Sequence, residues 1–110
     1  MAQRKRLPNK RGGIRIVIGK NKDCVHLSTG EYADGTLGEI FLVHQREGTF
    51  GRDMLNAFAM AVSLGLQHGV SLAAFHHTFR NFTMEPDLIR GVFEELELHY
   101  GAKPTKEEKS

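Results

Sequence analysis

Tryptophan is absent from this 110-residue sequence, cysteine occurs once and proline three times. A single thiol, Cys24, excludes an internal disulfide framework and the paired cysteines of a thiol–disulfide enzyme. No apolar run approaches the length that spans a bilayer, and the basic N-terminus is not followed by the apolar stretch of a secretory signal. A cytoplasmic, reducing setting is therefore the expectation, with no membrane partner. The six histidines are numerous but badly placed for a metal. His76 and His77 are adjacent and diverge by about 100° on a helix. No two histidines stand four apart on a helix and no CxxC is present, so neither metal nor cofactor is expected.

What is present is a single small domain with ordinary apolar and charged fractions and a modest core. The net charge of +2 is unevenly spread. Residues 1–12 hold Arg4, Lys5, Arg6, Lys10 and Arg11 and no acid, so the body of the chain is net acidic. Three segments are expected: a basic disordered arm over 1–12, a folded domain over 13–101 and a charged disordered tail over 102–110. The arm can hold nucleic acid loosely, but an acidic body argues against a dedicated reader.

The β-branched run Ile14–Ile18 reads as a strand, Gly19–Asp23 as a turn, and Cys24–Thr29 as the returning strand, with Gly30 marking a bulge or a close approach. Ala33-Asp34-Gly35-Thr36 is a turn, and Glu39–His44 a third strand. The period then changes. Met54, Leu55, Phe58, Ala61, Val62 and Leu66 recur at helical spacing, with Thr49 as N-cap, Asp53 suiting the positive end of the dipole and Gly69 just past the end. Ser71 caps a second helix running to about Arg80. Pro86 and Asp87 open a third, whose stripe is Leu88, Val92, Leu96 and Tyr100. Strands first and helices after predict an α+β domain: a three-stranded antiparallel sheet with one long and two shorter helices packed on one face. The other face, carrying Ile14, Ile16 and Ile18 or their neighbours, is expected to be sticky, and a homodimer formed through sheet or helix is expected.

The sharpest candidate for chemistry is the strand-to-helix turn Arg46-Glu47-Gly48-Thr49-Phe50-Gly51-Arg52. A helix start presents free N–H groups and a positive dipole end to an anion. Arg46, Gly48, Thr49, Gly51 and Arg52 then form a phosphate site, with Tyr32, Asp34 and Glu39 as a neighbouring wall. The pattern is not a P-loop, and a plain turn capped by Thr49 fits the same residues. Cys24 fits a small buried strand position better than a nucleophile.

The stretches YADGTLGEIFL, REGTFGRDMLNAFAMAVSLGLQHGVSL and FTMEP resemble the TSCPD domain, a module of adenosylcobalamin-dependent ribonucleotide reductases that also occurs as small free-standing proteins. Tyr32, Asp34, Gly35, Gly38, Glu39, Ile40, Phe41 and Gly48 match that pattern. So does a helix run that includes Ala59, Ser63, Leu64 and Gln67. The resemblance covers about residues 14–86. Leu37 replaces the usual proline, Arg46 the usual lysine, and Thr49-Phe50 the usual Ser-Thr.

The resemblance implies an accessory module and not a reductase, because ribonucleotide reduction in that family uses a radical cysteine and a reducing pair, which one cysteine cannot supply. The expected function is a non-catalytic binding module in deoxyribonucleotide metabolism, holding a nucleotide or phosphate at the turn. The alternatives are a protein-interaction module docked on a reductase, a nucleotide-sequestering protein, and a small enzyme using Glu39 or the His76 region.

Overall fold

A computed structural model describes residues 3–20, 23–44, 49–79 and 88–101. The expectations for Arg46, Gly48, Pro86, Asp87 and the 102–110 tail lie outside the described residues.

The α+β architecture is the one expected. Strands β1 (Arg15–Lys20), β2 (Asp23–Glu31) and β3 (Leu37–His44) form an antiparallel meander in the order β1-β2-β3. Helices α1 (Thr49–Gln67), α2 (Leu72–Phe79) and α3 (Leu88–Leu96) follow, and α3 runs into a π-helical turn, Glu97–Gly101. At the β2–β3 turn Asp34 Oδ1 accepts hydrogen bonds from the Thr36 amide and hydroxyl, so this acid shapes the turn. The register shifts between Gly30 and Glu31. The Glu39 side chain lies where a Cβ on Gly30 would stand, so the expected bulge and close approach both occur. Gly69 ends α1 at φ 97°, with Val70 N–H donating to Gly65 O and Gly69 N–H to Leu66 O. Ser71 Oγ accepts from Ala74 N–H and caps α2, as expected.

Alternation decides which sheet face meets the helices. Val25, Leu27, Ile40 and Leu42 are buried and join Ala59 and Val62 of α1 and Val92, Phe93 and Leu96 of α3 in one core. Phe93 is its hub. Its ring stacks on Phe79 at 5.5 Å and meets Phe58 edge-on at 6.1 Å. Ile16 and Ile18 pair with Leu27 and Val25, so they sit on the core face, not the open one. The open face instead carries Val17, Phe41 and Val43, each more than half exposed.

Two further details differ from expectation. Met54 and Ala61 face solvent while Ala59 is buried, because α1 packs close along β3 and only a small side chain fits between them. The first turn of α1 also carries no acid, since Asp53 falls beyond it.

The basic arm is placed against the body rather than free. Lys5 N–H donates to Gln67 O at 2.7 Å, Gly12 O accepts from Glu31 N–H, and Ile14 O accepts from Thr29 N–H. The side chains of Leu7 and Tyr32 both lie against Gly38. The sequence reading missed this because it saw only a charge run, whereas the partners come from three distant elements.

Candidate functional site

The expected site divides. Gln67 bonds Gly38 and Ser63 bonds Ile40, so α1 runs back along β3 toward the β2–β3 turn. At about 1.5 Å of rise per residue, Thr49 starts about 20 Å from Ser63 along the helix axis. Tyr32, Asp34 and Glu39 therefore stand near the C-terminal end of α1, not at its start. They stand apart from Gly51 and Arg52, the part of the 46–52 turn that lies within the described first turn of α1. Of that turn, Gly51 and Arg52 lie exposed in the first turn of α1.

What gathers around the expected wall is the N-terminal segment. Arg11 pairs with Glu39 Oε2 at 2.8 Å. Tyr32 OH donates to Lys5 O, and the Lys5 ammonium stands 4.6 Å from the centre of the Tyr32 ring. Burial raises the Tyr32 phenol above its ordinary range, partly offset by nearby Arg4. The Thr36 hydroxyl and amide hold the Asp34 carboxyl below its ordinary range.

The edge of β3 is closed by side chains. Ile40 N–H donates to Ser63 Oγ, and the Ser63 hydroxyl donates back to Ile40 O. Gln67 is buried. Its amide nitrogen donates to Gly38 O at 3.0 Å and its Oε1 accepts from Arg4 Nε. One helix face thus satisfies an edge strand that would otherwise template another chain. Sequence reasoning missed these roles, although Ala59, Ser63 and Gln67 stand four apart on one face, a legible row of small and polar residues.

A second polar cluster lies where the π-turn meets the sheet. Tyr100 OH donates to Glu31 Oε2, which leaves the Thr29 hydroxyl, 2.8 Å away, as the donor to Tyr100. Ile14 N–H donates to Thr29 Oγ1. Burial, then the bond to Glu31, pushes the Tyr100 phenol up to about 12. On the α2 side, His76 Nδ1 stands 3.3 Å from Glu97 Oε2.

An open groove of about 610 Å³ runs between β3 and α1. Phe41, Met60 and Leu64 line it at 52%, 64% and 46% exposure, with Arg4 and Glu39 also in its wall. Cys24 is buried. Among the described residues no three His, Cys, Asp or Glu side chains group to hold a metal, and no helix is long and apolar enough to cross a membrane.

The chain is similar to vitamin B12-dependent ribonucleotide reductases. It is 46% identical over 88 residues to that of Bradyrhizobium diazoefficiens and 44% over 86 residues to that of Agrobacterium fabrum. The matches cover 78% and 76% of this chain but only 7% of each relative. The relative from Streptantibioticus cattleyicolor is 39% identical over 83 residues, covering 76% of this chain and 14% of its own. No solved structure matches. The family model of the TSCPD domain matches residues 3–100, including the basic segment that the sequence reading set outside the domain. The chain belongs to the TSCPD domain family.

Proposed function

We propose that this TSCPD domain is a non-catalytic accessory module of ribonucleotide reduction that docks on a large reductase through the groove between β3 and α1. The observation that carries the reading is the exposure of Met60, Leu64 and Phe41 along that groove. Large apolar side chains lining an open cleft mark a surface that gains by being covered. The relatives add support, because their matched segment is a small part of a much longer reductase. The chemistry supports it too. The one thiol in these residues is buried, Glu39 is held by Arg11, and Asp34 is spent on a turn.

The test is binding to a vitamin B12-dependent ribonucleotide reductase, intact and with its own matched segment deleted, followed by calorimetry. The expected result is a complex that is tighter with the deleted form and is lost on Met60→Glu or Leu64→Glu. Deoxyribonucleotide formation by the purified chain alone would falsify the non-catalytic reading, and no complex with either form would remove the docking partner.

A second reading keeps the anion at the helix start. It is supported by an α1 first turn with no acid and with Arg52 exposed. Thermal shifts with nucleotides and inorganic phosphate test it. Stabilisation that disappears in Arg52→Ala favours this reading over the groove, and no stabilisation removes it.

A further inference from the structure

The strand register makes the open sheet face self-complementary. Val17, His26 and Val43 form one row across the three strands, and Arg15, Ser28 and Phe41 form the next. Each row has β2 at its centre. A two-fold axis parallel to β2, lying in the plane between two facing sheets, exchanges β1 of one copy with β3 of the other at the same height. Val17 then meets the second copy's Val43, and Arg15 meets the second copy's Phe41, each contact occurring twice. The first is an apolar pair and the second a guanidinium over an aromatic face. Such an axis keeps the two sets of strands aligned, the arrangement that twisted sheets adopt when packed face to face.

We infer that this face is a symmetric interface that takes a second copy of the same chain. The inference shares Phe41 with the docking reading but does not rest on it, since Val17 and Val43 do not line the groove and Met60 and Leu64 are not in the two rows. Two features point to a copy over other occupants. Val17, Phe41 and Val43 are 54%, 52% and 54% exposed, so the most exposed apolar groups are two valines and one phenyl ring, with the His26 imidazole less exposed between the valines, whereas a sheet that binds single-stranded nucleic acid stacks bases on several exposed rings. The only cation in the two rows, Arg15, has its acceptor in the same rows, Phe41, on the opposite strand. The size sets the strength of the pairing and not the identity of the occupant. Three strands about 4.8 Å apart and up to nine residues long present a face on the order of 400 Å² in projection. That is below the about 800 Å² that each partner brings to a standard interface, so the dimer is weak and depends on concentration.

Sedimentation equilibrium of the full chain tests this. At concentrations on the order of 100 µM the mass should be that of two copies, falling toward one on dilution. Val17→Lys and Val43→Glu should each weaken association at least about tenfold, since each places an unpaired charge in the interface. The Val17→Lys/Val43→Glu double variant should recover most of the loss, because the axis sets the two new charges opposite one another between copies. Arg15→Gln should weaken association several-fold, and Met60→Glu in the groove should leave it unchanged. Circular dichroism checks that each variant is folded, which exposed positions permit. A single-copy mass at the highest concentration overturns the inference, even if a single-stranded oligonucleotide binds. So does a two-copy mass that ignores both charged variants, or a double variant no better than the worse single one.

Discussion

The two faces of the sheet are built from alternate residues of the same strands and both carry large apolar side chains, yet these end in opposite environments. Val25, Leu27, Ile40 and Leu42 are at most 4% exposed, while Val17, Phe41 and Val43 are at least half exposed. Taken singly, these side chains are not distinguished by strand propensity or hydrophobicity, although the open face also carries Arg15, His26 and Ser28. The difference is made elsewhere in the chain: α1 and α3 cover one side, and among the described residues no helix covers the other. A valine's contribution is thus fixed by what another element does, and the open face keeps its apolar character as an interface would.

The largest effect should come from the covered side. Phe93 is fully buried and touches the rings of Phe58, Phe75 and Phe79. Phe93→Ala should cost about 3–5 kcal/mol, read by urea unfolding with an unchanged m-value. A cost below about 1 kcal/mol would mean that the three helices do not share one core.

The edge of the sheet is a third environment and should rank next. Ser63→Ala strips Ile40 N–H and C=O of their partner in a part-buried position. The expected loss is about 1–3 kcal/mol, with faster hydrogen exchange at the Ile40 amide. If that amide stays protected, α1 does not close the edge.

How much of this was legible follows the range of the forces involved. The meander, the three helices, the Ser71 cap and the Gly69 terminus depend on neighbours a few residues apart, and period and turn chemistry report those directly. The inward set on β1 was legible and was placed on the wrong face: Ile14, Ile16 and Ile18 alternate with Arg15 and Val17, so the more apolar side is the one that meets the helices. The fate of residues 3–12 was invisible: its contacts reach Gln67, Tyr32, Gly38 and Glu39, none near it in sequence. The expected wall stands apart from the start of α1. Tyr32, Asp34 and Glu39 precede the turn closely in sequence, but β3 carries the chain away from them before α1 begins. Ser63 and Gln67 were readable in principle, as polar residues in register on a helix face that otherwise packs.

The Tyr100 cluster joins the π-turn to the covered side and adds a pH signature. A phenol raised to about 12 is one whose neutral form the fold favours. Its contribution is complete below the unfolded value near 10 and is lost as pH rises from there through about 12. Tyr100→Phe should cost about 1 kcal/mol at neutral pH, once solvent screening of this partly exposed group is allowed for. The gap between wild type and variant should narrow as unfolding is measured at successively higher pH above 10. A gap that widens would mean that the bond to Glu31 is not made.

The smallest effect is the most direct probe of the opening contrast. Val25 and Val43 are both sheet valines, 2% and 54% exposed. Val25→Ala removes methyls from a closed core and should cost about 2 kcal/mol. Val43→Ala removes the same atoms from a surface and should change folding stability by less than about 0.5 kcal/mol, provided unfolding is followed at a dilution where single copies dominate. Raising the protein concentration supplies the sharper measurement. A chain that pairs through this face gains stability by mass action, and the gain should be smaller in Val43→Ala than in wild type. The Val25→Ala cost should be the same at both concentrations, because its methyls are buried within one copy. If the Val43→Ala cost is equally indifferent to concentration, the exposed face is surface and nothing more.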